Sequence, residues 1–126
     1  MPDFLSVGDV LKLHADQIRR YGGGGGVRDL GLLESAVAQA QAAFGGQYLH
    51  HDLFEMAGAY LFHLVQNHPF LDGNKRTGLA AALVFLDCNN IEIDAPKGSL
   101  YDLTVQVVTG TVNKTQIAAF LRQHSL

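Results

Sequence analysis

Nine residues stand out for their chemistry: His68-Pro69-Phe70-Leu71-Asp72-Gly73-Asn74-Lys75-Arg76. A histidine, a carboxylate, an amide and two cations fall within one short stretch between two apolar segments. The pattern predicts a helix that ends near His68, because Pro69 disfavours helical dihedrals in the residue before it. A second helix starts at about Asn74. The leading N–H groups of a helix have no intrahelical acceptor and carry partial positive charge, so they form an anion site. Cations are normally disfavoured there, by about 0.3–1 kcal/mol each. Lys75 and Arg76 nevertheless fall in that first turn. A bound polyanion turns the conflict into complementarity, with phosphate as the obvious candidate and Arg76 able to fork onto two of its oxygens. Asp72 offers the single hard oxygen ligand that Mg²⁺ needs beside substrate phosphates. His68 is placed to take a proton from an attacking hydroxyl. Base, metal ligand and phosphate cradle are the working parts of phosphoryl or nucleotidyl transfer. Each residue alone has a plainer reading: helix cap for Asp72, helix-end cation for His68, solvated charge for Lys75 and Arg76.

Helices must position this stretch, and apolar residues recur at helical spacing almost throughout. A first helix spans about 6–21, with Ser6 and Asp9 as a capping box and Gly22 as a left-handed stop. Residues 22–26 are five consecutive glycines, read as a mobile loop. Asp29 caps a second helix over about 30–44, whose buried face carries Leu33, Val37, Ala40 and Phe44. Asp52 and Glu55 open a third that runs to Asn67 or His68. The fourth, about 74–87, is apolar all round and therefore central. Ser99 with Asp102 opens a fifth to about 109, and Asn113 with Gln116 a sixth to about 122. Ile91-Glu92-Ile93 reads as extended, without an evident partner strand. The expected architecture is all-α, one domain over 1–126 with about six helices.

Composition bounds the function. The chain has 126 residues, 48% of them hydrophobic and 17% charged, and formal net charge −3, which argues against disorder and against a coat for nucleic acid or an anionic membrane. One cysteine, Cys88, excludes an internal disulfide and a cysteine-based zinc cluster, and reads as a small apolar residue ending a buried helix. No secretory signal and no membrane-spanning run is visible, so the expectation is a cytoplasmic protein. The glycine run holds neither G-x-G-x-x-G nor a P-loop. His14 and His63 read as packing residues. His50-His51 read as loop, with a substrate-binding flap at 45–51 as a secondary reading. Phe54, Tyr60, Phe62, Phe85 and Phe120 read as core.

The stretch from His68 to Arg76 resembles the signature of the Fic/Doc (Fido) family, His-Pro-Phe-x-Asp/Glu-Gly-Asn-Gly/Lys-Arg. Tyr21-Gly22-Gly23, Gly26, Arg28-Asp29 and Gly31-Leu32-Leu33-Glu34-Ser35-Ala36 resemble the Doc, or death on curing, branch. The resemblance implies a Fido-fold helical domain with His68 as general base, Phe70 as anchor of the loop and Asp72 as holder of Mg²⁺. It implies an anion hole at Gly73 and Asn74, the Asn side chain lying on phosphate oxygens, and phosphate binding by Arg76. Lys75 stands where the adenylylating branch has Gly, and Leu79 where that branch has a second Arg. Lys75 would occupy the second phosphate pocket. The Doc pattern implies a kinase that takes ATP reversed and moves its γ-phosphoryl to a threonine of elongation factor Tu, arresting translation. Adenylylation of a protein and a non-catalytic binding module are the alternatives. No self-inhibitory Ser/Thr-x-x-x-Glu-Gly/Asn run occurs, so the resemblance implies restraint by a small antitoxin whose flexible segment folds on this chain.

Overall fold

The computed structural model describes all 126 residues. Six helices carry the fold: α1 Val7–Tyr21, α2 Leu30–Gln39, α3 Leu53–Asn67, α4 Asn74–Cys88, α5 Ser99–Thr109 and α6 Lys114–Gln123. The only sheet is a hairpin of β1 Ala43–Phe44 and β2 Gln47–Tyr48, with Ala43 opposite Tyr48 and Phe44 opposite Gln47. The mostly helical class agrees with the sequence reading. No helix is long and apolar enough to cross a membrane.

Capping residues set most of the helix starts. Ser6 and Asp9 form the expected box, as do Asn113 and Gln116, while Asp29 and Asp52 each accept a backbone N–H three residues on. The centre is the pair α3 and α4. Helix α3 also packs on α2, α5 and α6, and α1 packs on α4. Tyr60, Leu61 and Leu64 of α3 and Phe85 and Leu86 of α4 are wholly buried. The two helices approach closely at Gly78, where an added Cβ would lie 3.1 Å from Val65 Cγ2 and 3.3 Å from the Leu61 carbonyl. That close approach fixes the angle at which the loop between them leaves the core.

Several expectations change. Helix α2 stops at Gln39 rather than near 44, because Gly45 and Gly46, both at positive φ, fold the chain into the hairpin. Phe44 therefore leaves the predicted buried face and stands 83% exposed. Gly22 closes α1 at φ 82° but ψ 177°, an extended exit rather than a left-handed cap. Gly98, not Ser99, is the cap of α5, and the Ser99 hydroxyl instead donates to the Pro96 carbonyl. Cys88 is exposed. Ile93 does find a partner, bridging to Ser125.

Candidate active site

The loop between α3 and α4 is shaped by bonds from residues distant in sequence. His68 ends α3 in the left-handed region, φ 50° and ψ 54°, which costs a residue with a Cβ about 1 kcal/mol or more. Arg28 offsets that strain. Its Nε donates to the His68 carbonyl at 2.7 Å and its Nη2 to the Asn67 carbonyl at 3.0 Å, so a fixed cation serves the negative end of α3. The backbone N–H groups of Arg28 and Asp29 both donate to the Pro69 carbonyl. Phe70 is wholly buried and stacks on His14, with ring centroids 3.8 Å apart and planes within 4°. His14 Nε2 then donates to the Asp72 carbonyl at 2.8 Å. Phe70 thus anchors the loop as expected, and the buried His14 braces it from α1.

The Asn74 side chain bonds to the loop's own backbone. Its Oδ1 accepts the Phe70 N–H at 2.9 Å and its Nδ2 donates to the Phe70 carbonyl at 3.0 Å, so both ends of the amide are engaged inside the loop. These two bonds also fix which atom faces His68: Nδ2 meets His68 Nδ1 at 3.1 Å. Nδ1 is therefore an acceptor, and the neutral ring carries its hydrogen on Nε2.

Beyond the loop, α4 begins at Gly73, a left-handed cap with no side chain bonded to the first turn. Lys75 and Arg76 stand at this uncapped, positive helix end. Asp72 is exposed, and its two oxygens accept the N–H groups of Gly73 at 2.7 Å and Gly24 at 3.3 Å. Those two bonds, Gly73's first, hold its carboxyl below the ordinary carboxylate range. A groove of about 570 Å³ brings together His68, Asp72, Gly73, Asn74, Lys75 and Arg76. Lys75 and Arg76 also line an adjoining groove of about 360 Å³, walled by Leu79, Tyr101 and Val105. Every residue of the sequence-read site meets in the first groove except Phe70, which anchors it from the core.

Sequence reasoning missed Arg28 and His14 as supports of this loop. The Arg28-Asp29 pair was visible within the resemblance, yet nothing in its local spacing points to carbonyls about 40 residues away. Two further histidines, His50 and His63, share a lysine elsewhere. Lys114 Nζ donates to His63 Nε2 at 3.1 Å and to His50 Nε2 at 3.4 Å. Burial, and then the Lys114 charge, push His63 down to about 4 and lower His50 as well. His63 of α3 and His50, just ahead of α3, thus both face Lys114 at the start of α6.

The helical domain thus gathers two cations, one carboxylate and a histidine into one groove at an uncapped helix end. Comparison with known proteins gives it a family. A profile described as Fic/DOC family matches residues 4–86. "Protein kinase doc" of Escherichia phage P1 is 38% identical over 120 residues, which is 94% of this chain and 93% of that protein. "Toxin Doc" of Mycolicibacterium smegmatis (strain ATCC 700084 / mc(2)155) is 40% identical over 123 residues, 96% of this chain and 92% of that protein. The chain belongs to the Fic/DOC family.

Proposed function

We propose that this protein is a Doc-type toxin, a transferase that moves the γ-phosphoryl of Mg·ATP to a Thr or Ser hydroxyl of a protein, with elongation factor Tu as the target and arrest of translation as the consequence. The observation that carries the reading is the pairing of Lys75 and Arg76 at the uncapped start of α4 with His68 across the same groove. The names of the two relatives, a protein kinase and a toxin, support the reaction and the biology in turn.

In this reading the attacking hydroxyl oxygen forms the new bond to the γ-phosphorus while the bond from that phosphorus to the bridging oxygen breaks, and ADP leaves. His68 receives the hydroxyl proton. Arg76 and the free N–H groups of the α4 start carry the charge that spreads over the γ-oxygens. Asp72 fits Mg²⁺: an exposed carboxylate, one N–H on each oxygen, with lone pairs left facing the groove. The metal, when bound, would neutralise phosphate charge. Lys75, with apolar Leu79 beside it, supports the kinase over the adenylylating arrangement, because both positions differ from the residues that branch uses. A small protein antitoxin is the proposed restraint.

The test incubates purified protein with elongation factor Tu, Mg²⁺ and ATP labelled on either the γ- or the α-phosphate, with His68→Ala as control. Label from the γ-position alone, lost in the variant, is the expected result. Label from the α-position would overturn the kinase reading in favour of adenylylation. Label from neither, in whole-cell lysate as well, would overturn transfer altogether.

A further inference from the structure

Asp72 lies just ahead of the Gly73 cap of α4 and Arg76 lies in the helix's first turn, yet these opposite charges form no ion pair. The ion pairs of the protein join Asp16 to Arg19 and Arg20, and Asp52 to Arg122. Each group is instead bonded to the same short piece of backbone at the end of α1. Arg76 Nη2 donates to the Gly22 carbonyl at 2.9 Å, and its guanidinium carbon lies 5.6 Å from the Tyr21 ring centroid. Two residues on, the Gly24 N–H donates to Asp72 Oδ2.

We infer that Tyr21–Gly24 is a positioning strap that keeps the Asp72 carboxylate and the Arg76 guanidinium apart, so that the cation-binding and anion-binding halves of the groove stay separately available, and that Gly23 sets the strap because no side chain fits there. The inference rests on the catalytic reading of Asp72 and Arg76 given above.

Gly23 differs from its neighbours in a way that composition hides. A Cβ added to it would lie 2.5 Å from Asp72 Oδ2, 3.1 Å from Asp72 Cγ and 3.2 Å from Ile18 Cδ1, and its φ of +115° disfavours any other residue. At Gly25 an added Cβ meets nothing within 4 Å and φ is not left-handed. One glycine of the run is thus sterically required beside the carboxylate, and another is free to vary. A methyl group at 23 must displace either the Asp72 carboxylate or the strap. Displacing the carboxylate breaks the Gly24 bond. Displacing the strap pulls the Gly22 carbonyl from Arg76. Either outcome loosens one of the two tethers that hold these charges to the strap.

The test compares wild type, Gly23→Ala, Gly25→Ala and Tyr21→Leu. Binding of Mn²⁺ in the presence of a non-hydrolysable ATP analogue is followed by electron paramagnetic resonance, beside γ-phosphoryl transfer and thermal melting. Gly23→Ala is expected to weaken Mn²⁺ binding at least tenfold and to lower kcat by a similar factor, with the KM for the protein target within twofold. Gly25→Ala is expected within twofold of wild type in every reading. Tyr21→Leu, at an exposed position, is expected to weaken binding of the analogue about threefold, and it decides the matter if Gly23→Ala does not fold. Equal Mn²⁺ affinity in Gly23→Ala and Gly25→Ala, or an unaffected Tyr21→Leu beside an unfolded Gly23→Ala, overturns the strap and leaves the catalytic reading standing. A wild-type protein that binds no Mn²⁺ with the analogue overturns the catalytic reading, and the strap with it.

Discussion

Two glycine-bearing loops follow the first two helices, and they are built in opposite ways. Residues 22–29 run beside 67–76 and are bonded to them repeatedly: Gly22 to Arg76, Gly24 to Asp72, Gly26 to Leu71, Arg28 and Asp29 to Pro69. The hairpin at 43–48 is bonded chiefly to itself. Its anchors are Tyr48, whose ring meets Phe4 edge-on at 5.5 Å, and the following His50, which accepts from Lys114. Its tip presents Phe44 to solvent. Glycine content does not distinguish a stiff loop from a free one. What distinguishes them is whether another segment supplies hydrogen-bond partners. The braced loop holds the signature residues, whereas the unbraced one leaves a large apolar side chain in solvent.

The contrast can be broken most sharply at His68. Its ring is exposed, so His68→Ala should leave the melting temperature nearly unchanged while phosphoryl transfer falls by about 10²–10⁴-fold. Transfer at the wild-type rate would detach the braced loop from the chemistry. Arg28→Ala comes next. It removes two charge-assisted bonds from the end of α3, and urea denaturation should record a loss of about 1–3 kcal/mol with a clear drop in transfer. Unchanged stability and rate would mean that the bracing is incidental.

Acid should act on the other side of the molecule. His63 sits at about 4 in the fold, against about 6.5 when unfolded. The unfolded chain therefore takes up the proton first. Stability is complete above pH 6.5, declines as the pH falls from 6.5 to 4, and is flat in this group below that. The loss amounts to at most about 3 kcal/mol. His63→Gln should flatten the slope in a pH series of denaturation curves, and a slope that survives would assign it to other groups. The smallest effect is expected at the hairpin tip. Phe44→Ser should change stability by no more than about 0.5 kcal/mol. If this loop docks the protein target, the KM for that target should rise severalfold with nucleotide affinity unchanged. A loss of several kcal/mol would show that the hairpin is not the free partner in this comparison.

Local chemistry in the sequence accounted for much of this architecture. Capping side chains at Ser6, Asp29, Asp52 and Asn113 mark helix starts because they act within one turn, and the nine-residue stretch reveals the site because its residues are contiguous. Errors arose where distant or competing signals decide. Leu33, Val37, Ala40 and Phe44 keep helical spacing, but two glycines at positive φ turn the chain before the last of them joins the face. The run 22–26 read as mobile because its bonding partners lie about 50 residues downstream. Ile93 lacked a partner for the same reason: Ser125 is 32 positions away in the chain.

The pairing of 22–29 with 67–76 also sets an order of events during synthesis. The long-range bonds that shape the groove join residues 39 to 58 positions apart. Contacts of such separation form late, since chain closure must precede them. Helix α3 gains its packing against α6 only when 114–123 have been made. A nascent chain that has delivered α4 but not α6 thus holds the whole stretch from His68 to Arg76 without a finished scaffold. The groove's lining is therefore complete in the chain well before the helix that packs behind α3 has been made.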